Sequence, residues 1–450
     1  MNYQVPQNID PNKIFLVNRS EIKGRFDPKM TLYNKKVQNA LFPMVKLKNL
    51  LLSKPQYGAN EAGLDRLNNT QPRYIRITDI DENGLISINE LGATVANVEE
   101  KYILNNNDIL IARSGATVGK TYLHKELPYT CLYAGYLIRF LVDSKKILPG
   151  YLFSYTQLNS YKEWVNAIQR PSAQPNINAE EYQSLEIPLP DLSKQKEIVV
   201  FLSDAYRKKQ QKEQQAEDIL NSVDDYLLGE LGIKLPEINL QTLQDRIFTV
   251  NISEIRDGRM DPKSVLFLGE YAKSETYENV QLKQITTIEK GDSITSDKVN
   301  KNGQYPVIAG GQTSPYNHDK YNFKGDVITV SASGAYSGYV WYHDNPIFAS
   351  DCSVIHSKNG QFLTKYVFEV LKAQQSLIYL LQQGAGQPHV YPDDLGQLWI
   401  PVVSLSKQQE IVFHITEMRQ QAKALQEEGK AILEQAKREV EGIILGTSLT

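Results

Sequence analysis

The chain has 450 residues, 41% hydrophobic and 22% charged, with a formal net charge of −3. This excludes a disordered polymer and predicts two to four domains of roughly 100–200 residues each. No apolar run reaches the roughly 18 residues of a membrane span. Two cysteines, Cys131 and Cys352, are too few for a disulfide framework and suit a reducing cytoplasm.

Met1-Asn2-Tyr3-Gln4-Val5-Pro6 has neither the basic nor the apolar region of a secretory signal. The first informative stretch, Ile14 to Lys29, returns as Ile247 to Lys263 with one inserted residue, and Val45-Lys46-Leu47-Lys48 is echoed by Val280-Gln281-Leu282-Lys283. From Leu50 to about Asn106 no counterpart is visible in Glu289 to Lys324. Asn107 to Gly119 then pairs with Gly325 to Gly338. Each copy predicts a short apolar strand ending in a Ser-Gly-Ala-x-x-Gly turn, whose glycines supply positive φ or close backbone approach. Both cysteines follow on predicted strands and read as buried small hydrophobes. Tyr151-Leu152-Phe153 and Tyr366-Val367-Phe368 open amphipathic helices, which lead to Ala173-Gln174-Pro175-Asn176 and Ala385-Gly386-Gln387-Pro388.

Each half closes on one block. Leu185-Glu186-Ile187-Pro188-Leu189-Pro190-Asp191-Leu192-Ser193-Lys194-Gln195-Lys196-Glu197-Ile198-Val199 returns 213 residues on, from Leu398 to Val412, with ten of fifteen positions identical. The prolines end a strand, and Ser193 or Ser406 is the expected cap of a long helix. Apolar or small residues in steps of three and four predict a helix-pair seam at Ile411, Ile415, Met418, Ala422, Leu425, Gly429, Ile432, Ala436, Val440 and Ile443. The first helix matches it with Ile198, Leu202, Ala205, Ala216, Ile219, Val223 and Leu227, broken by Lys209 and Lys212. That basic middle reads as a solvated face or as a place where the pair loosens or meets a partner or DNA. The fold class is thus mixed α/β (α+β): residues 1–190 and 233–403 form two domains, and residues 191–232 and 404–450 form two long helices with a C-terminal tail.

No catalytic constellation emerges. Ser114 to Thr121 resembles a phosphate-binding loop but has three residues between its glycines where that motif needs four. Asn345-Pro346-Ile347-Phe348 lacks the second proline of the Asn-Pro-Pro-aromatic motif of amino-methyltransferases. The six histidines are scattered, and Cys352 with His356 is too small a set for zinc. Glu180-Glu181 and Asp393-Asp394 read as helix-start charges. The expectation is no catalytic residue, no bound cofactor and no metal. Gln and Asn near the turns have the donor and acceptor pattern that matches adenine, and Arg that of guanine. Candidate contacts are Arg113, Ser114, Lys120, Arg170 and Gln174 in the first half, and Ser331, Ser333, Tyr336, Gln383 and Gln387 in the second.

As a whole, the pattern resembles the specificity (S) subunit of Type I restriction–modification enzymes. The block Ile187-Pro188-Leu189-Pro190 with Gln195, Ile198 and Val199 fits that family closely. Ile400-Pro401 with Gln408, Ile411 and Val412 fits with Val403 in place of the second Pro. The resemblance implies two target-recognition domains on duplex DNA, each reading half of a bipartite asymmetric site. They would be separated by an antiparallel coiled coil and related by an internal pseudo-two-fold repeat. It also implies docking to two modification (M) subunits and, through them, to restriction (R) subunits. Adenosylmethionine, ATP and Mg would belong to those partners, with no chemistry in this chain. The competing expectation is a coiled-coil scaffold or regulatory protein that binds other proteins.

Overall fold

The computed structural model describes residues 10, 15–19, 27–38, 40–87, 90–169, 175–235, 249, 272–295, 298–300, 302–384 and 386–446. The repeated opening stretches around residues 20–26 and 250–263 lie outside these, as do Arg170 and Gln174. The chain divides into two compact units. Unit 1 holds residues 1–212 and 427–450, and unit 2 holds residues 213–426. This division cuts across the linear order, because each long helix gives one half to each unit.

In unit 1, β1 (Met44–Lys46) pairs antiparallel with β10 (Glu186–Pro188), with Val45 opposite Ile187. The first echo and the proline block therefore meet in space. The core sheet has the order β2 (Gln56–Tyr57), β9 (Leu137–Phe140), β6 (Ile109–Ala112) and β7 (Thr121–Leu123). A smaller sheet orders β3 (Leu64–Asp65), β5 (Ala93–Thr94), β4 (Arg73–Ile75) and β8 (Cys131–Tyr133), with β4 parallel to β8. Helices α1 (Pro28–Val37), α2 (Pro149–Thr156), α3 (Asn159–Ile168) and α4 (Ala179–Gln183) complete this body. Tyr33, Leu47, Ile109, Phe140, Tyr155 and Ile187 share its core. The first part of α5 (Leu192–Leu231) packs against this body.

Unit 2 repeats the plan. β11 (Asn279–Gln281) pairs with β19 (Trp399–Pro401), with Val280 opposite Ile400. Its core sheet has the order β12 (Thr286–Lys290), β18 (Cys352–Ser357), β15 (Val327–Ser331) and β16 (Val340–His343). The small sheet orders β14 (Asn317–His318), β13 (Tyr305–Ile308) and β17 (Phe348–Ala349), with β13 parallel to β17. The stretches without any visible echo thus each supply one strand, β4 or β13, of a parallel pair. The helices are α6 (Leu282–Ile285), α7 (Thr364–Ala373), α8 (Gln375–Leu380), α9 (Pro392–Gly396) and α10 (Leu405–Leu445). Both cysteines are buried on strands as expected, and burial pushes their thiols up, to about 11 and about 12. The strands are not equivalent: Cys352 starts a core strand, whereas Cys131 lies in the small sheet.

The long helices start at Leu192 and Leu405, one residue before the serines expected to cap them. The caps are Asp191, whose carboxylate accepts from the Lys194 N–H at 2.9 Å, and Ser404, whose hydroxyl accepts from the Lys407 N–H at 3.3 Å. Inside the block, Gln195 and Gln408 are fully buried. Gln195 accepts from the Leu148 N–H at 2.8 Å and donates to the Lys146 and Pro190 carbonyls. Gln408 does the same with Leu363, Gln361 and Val403. Tyr151 and Tyr366, the repeated helix openers, donate to the carbonyls of Pro188 and Pro401.

Within each unit the helix halves run antiparallel. In unit 1 Lys212 meets Glu428 at 2.9 Å and Tyr206 lies beneath Lys437. In unit 2 Glu230 meets Lys407 at 2.6 Å and Tyr226 packs on His414. Ile198, Leu202, Ala205, Ala216, Val223, Leu227, Ile411, Ile415, Ala422, Ala436 and Val440 are buried as the seam expected. Ile219, Met418, Leu425 and Ile432 are only partly buried, and Ile443 is 41% exposed. Leu231, Leu433 and Ile444 take the buried places. The shift has a geometric cause: a helix of 3.6 residues per turn drifts about 20° per heptad from a 3.5-residue pattern, so the buried stripe moves one residue on.

The basic middle is a close approach, not a loosening. A Cβ on Gly429 would meet the Lys212 Cβ at 3.1 Å and the Lys209 carbonyl oxygen at 3.2 Å. Only hydrogen at position 429 lets the second backbone come that near, and the Lys212 stem covers it while its ammonium reaches Glu428.

Candidate nucleic-acid interface

Each unit builds a surface of its own from the repeated turn and the repeated proline loop. In unit 1, strand β6 runs into the turn, where Gly115 and Gly119 have φ of 78° and 87°. The Gly119 N–H closes back on the Ala112 carbonyl, and the Gly115 N–H donates to Pro175 at 3.0 Å. In unit 2, Gly334 and Gly338 have φ of 87° and 93°. The Gly338 N–H returns to the Ser331 carbonyl, and the Gly334 N–H donates to Pro388 at 3.0 Å. Ser114 bridges Asn176, and Ser333 bridges His389. The structure thus joins the two motifs that the sequence separates by about 60 residues. A Cβ on Gly119 would strike Val165 at 2.8 Å, so this glycine seats the turn on α3. At Gly115 and Gly334 a Cβ would meet nothing within 4 Å, so the tips are open. In unit 1 the turn enters β7, not a helix, so it lacks the helix N-terminus that a phosphate-binding loop uses.

Tyrosines brace this frame in unit 1. Tyr161 donates to the Gly119 carbonyl and Tyr182 to the Ala112 carbonyl, both from the core. Glu180-Glu181 and Asp393-Asp394 lie in the first turns of α4 and α9 as helix-start charges. The Asp394 carboxylate also accepts from Gln383.

The candidate contacts separate into outward and inward groups. Arg113 and Ser114 lie half-buried at the turn, Ser333 is half-buried, and Tyr336 and Gln387 are exposed. Three side chains are spent inside the fold. Ser331 is 4% exposed and turned to the Ala309 carbonyl, Lys120 donates to the Ile80 carbonyl at 2.7 Å, and Gln383 is held by Asp394 at 2.8 Å. They flank the turn and the loop, but strand alternation at Ser331 and nearby buried acceptors at Lys120 and Gln383 turn them inward. Residues not singled out in the sequence join the surface: Tyr57, Tyr136, Asp351 and Tyr391 are all exposed. Asp351 accepts from the Ser333 hydroxyl. His356 contacts Glu289 at 3.0 Å, and among the described residues no group of three His, Cys, Asp or Glu is placed to hold a metal.

Two of the six histidines occupy matching places: His124 directly follows β7 and His343 ends β16, each buried. His124 faces the Tyr122 hydroxyl and His343 the Thr329 hydroxyl. Burial lowers both to about 4. Since the unfolded value is about 6.5, the unfolded chain binds more protons between those limits. The stability these residues supply is complete above about pH 6.5 and is lost as pH falls toward 4, at most about 3 kcal/mol for each. The double variant His124→Gln with His343→Gln should therefore lose stability less steeply than the wild type between pH 6.5 and 4 in urea titrations. Parallel pH dependences would show that the two rings do not titrate with folding.

The fold and this surface define a duplicated scaffold, one frame carrying two different sets of side chains. The chain belongs to the Type I restriction modification DNA specificity domain family, whose model matches residues 58–220 and 274–435. A putative type I specificity subunit of Mycoplasma pneumoniae is 27% identical over 168 residues, 33% of this chain and 66% of that protein. The type I restriction enzyme MpnII specificity subunit of the same organism is 31% identical over 109 residues, 23% and 33%. The matches thus span less than two-thirds of these relatives' lengths. The crystal structure of a Type-I restriction-modification system S subunit from M. genitalium is 14% identical with a TM-score of 0.45, covering 92% of this chain and 98% of that one.

Proposed function

We propose that this chain is the DNA-recognition subunit of a Type I restriction–modification complex. Each unit reads one half of a bipartite duplex site through its turn and proline loop. The chain docks two modification subunits, which carry adenosylmethionine, and through them restriction subunits that use ATP and Mg. It performs no chemistry itself. The observation that carries this reading is the identical bracing of the turn on the loop in both units, with dissimilar side chains around it: Arg113 and Tyr136 in one, Ala332 and Asp351 at the same places in the other. A duplicated frame with divergent lining is what reading two unrelated half-sites requires.

The test exchanges residues 14–190 for those of a relative and reads the methylated motif genome-wide, with the cognate modification subunit present. One half-site should change and the other persist. Duplex binding by the assembled complex should also weaken as salt rises, since phosphate contacts release counterions. A motif altered in both halves would reject independent reading. Salt-insensitive, sequence-blind behaviour would favour a protein-binding scaffold, and methyl transfer by the chain alone would reject a non-catalytic role.

A further inference from the structure

We propose that Arg113 reads a guanine in the half-site of unit 1, an assignment that rests on the DNA-recognition reading above. The turn itself does not need this side chain. The Arg113 N–H donates to the Tyr136 carbonyl at 3.0 Å, and its carbonyl accepts from the Ile177 N–H at 2.8 Å. At the equivalent place in unit 2, Ala332 donates to the Asp351 carbonyl at 3.1 Å and accepts from Val390 at 3.0 Å. A methyl group suffices for the same backbone work, so the guanidinium of Arg113 is surplus to the frame.

That guanidinium is nonetheless held in place. Its centre lies 4.9 Å from the centroid of the Tyr57 ring. The ring is fixed in turn, because the Tyr57 hydroxyl accepts from the Ala179 N–H at 3.2 Å, while Tyr57 stays 38% exposed at the surface. The Arg113 Nε is buried and has no hydrogen-bond partner among the described residues. Among the described residues no carboxylate forms an ion pair with Arg113. Beside it the tip at Gly115 opens to free space. An arginine held over a ring, next to an open turn and without an ion-pair partner among the described residues, has given up part of its rotamer freedom before any ligand arrives.

Its chemistry selects the ligand. A guanidinium is a planar fork of donors with no acceptor. In the major groove only guanine offers two adjacent acceptors, O6 and N7, to such a fork. A backbone phosphate would also accept, but that contact carries no sequence information. The Tyr57 ring beneath the guanidinium restrains where the fork can go, as base reading demands; a charge contact would be served as well by a mobile lysine.

The experiment selects bound duplexes from a randomised pool with the chain assembled on its modification subunit, comparing wild type, Arg113→Ala and Arg113→Lys. The wild type should enrich a bipartite motif with guanine at one position of one half-site. Arg113→Ala should lose the preference at that position alone, by about 5- to 150-fold, the worth of one bidentate pair. Arg113→Lys, which keeps the charge and lacks the fork, should lose the same preference while retaining most affinity. The Ala332 counterpart indicates that Arg113→Ala folds, which circular dichroism checks. A uniform fall in affinity with an unchanged motif would make Arg113 a phosphate contact and overturn the assignment. So would an unchanged motif at unchanged affinity, or a lost preference at a base other than guanine. A wild type with no sequence preference would reject the recognition reading itself.

Discussion

Replacing Gln195 with leucine should lower stability by about 3 kcal/mol or more, a large share of the total for a domain. The side chain is fully buried, and its removal strands three backbone groups at once: the Leu148 N–H and the Lys146 and Pro190 carbonyls. Each buried group left unpaired costs about 1–3 kcal/mol. Leucine fills the volume, so the loss reports hydrogen bonding rather than a cavity. Leu148 is the N-cap residue just before α2 and its side chain makes no capping bond, so Gln195 ties the first turn of α5 to the start of α2. Gln408→Leu should cost as much in unit 2, where the Leu363 N–H and the Gln361 and Val403 carbonyls lose their partners. The two sites share no partner, so the double variant should lose the sum. Urea unfolding of the three variants is the measurement. A loss well under 1 kcal/mol for either single variant would mean that these glutamines are not what joins helix to body.

Much of this frame was legible because the chain states it twice. The block holding Gln195 repeats nearly unchanged at Gln408, and the two turns repeat their glycines. Positions that a frame constrains resist change whatever the ligand, so internal comparison finds them. Val45 and Ile187 are 142 residues apart in sequence, yet both repeat as Val280 and Ile400, and both pairs turn out to be strand partners.

What escaped has physical causes. The small sheets carry no echo, although β4 with β8 and β13 with β17 are both parallel pairs. Backbone bonds set that pairing, and they accept almost any buried side chain. The true caps, Asp191 and Ser404, differ in residue type, while the serines at 193 and 406 match and drew the expectation. Ser331, Lys120 and Gln383 flank the turns as expected, but which way a side chain leaves the backbone depends on carbonyls far away in sequence. Tyr57 gave no signal at all. It stands 56 residues before Arg113, on a two-residue strand, and only the folded sheet brings the two together.

The largest electrostatic effect should come from Arg419. Glu369, on α7, is 1% exposed, and its carboxylate takes both arms of the Arg419 guanidinium at 2.6 and 2.7 Å. Close by, burial raises the Asp224 carboxyl and lowers the Lys372 ammonium, with Arg419 opposing the first and Asp224 the second. Arg419→Ala should therefore cost about 3–5 kcal/mol, because it leaves a buried carboxylate without its counter-charge. The frame does not need the pair. Aligning the two helices at Tyr151 and Tyr366 places Ser154 where Glu369 stands, and the 213-residue repeat places Tyr206 where Arg419 stands. At these aligned places unit 1 carries neutral residues: Ser154 is buried, and Tyr206 is partly buried and packs against the core. Grafting that solution into unit 2, as Glu369→Ser with Arg419→Tyr, should recover most of what Arg419→Ala loses. Replacing a whole buried pair by neutral residues that pack is close to neutral, whereas removing one partner is not. A double-mutant cycle on urea midpoints separates the outcomes. A strong coupling between positions 369 and 419, with the double graft near wild type, is the expected result. A double graft as unstable as Arg419→Ala would show that unit 2 depends on the ion pair itself, and that the two repeats have settled into packings that no longer interchange.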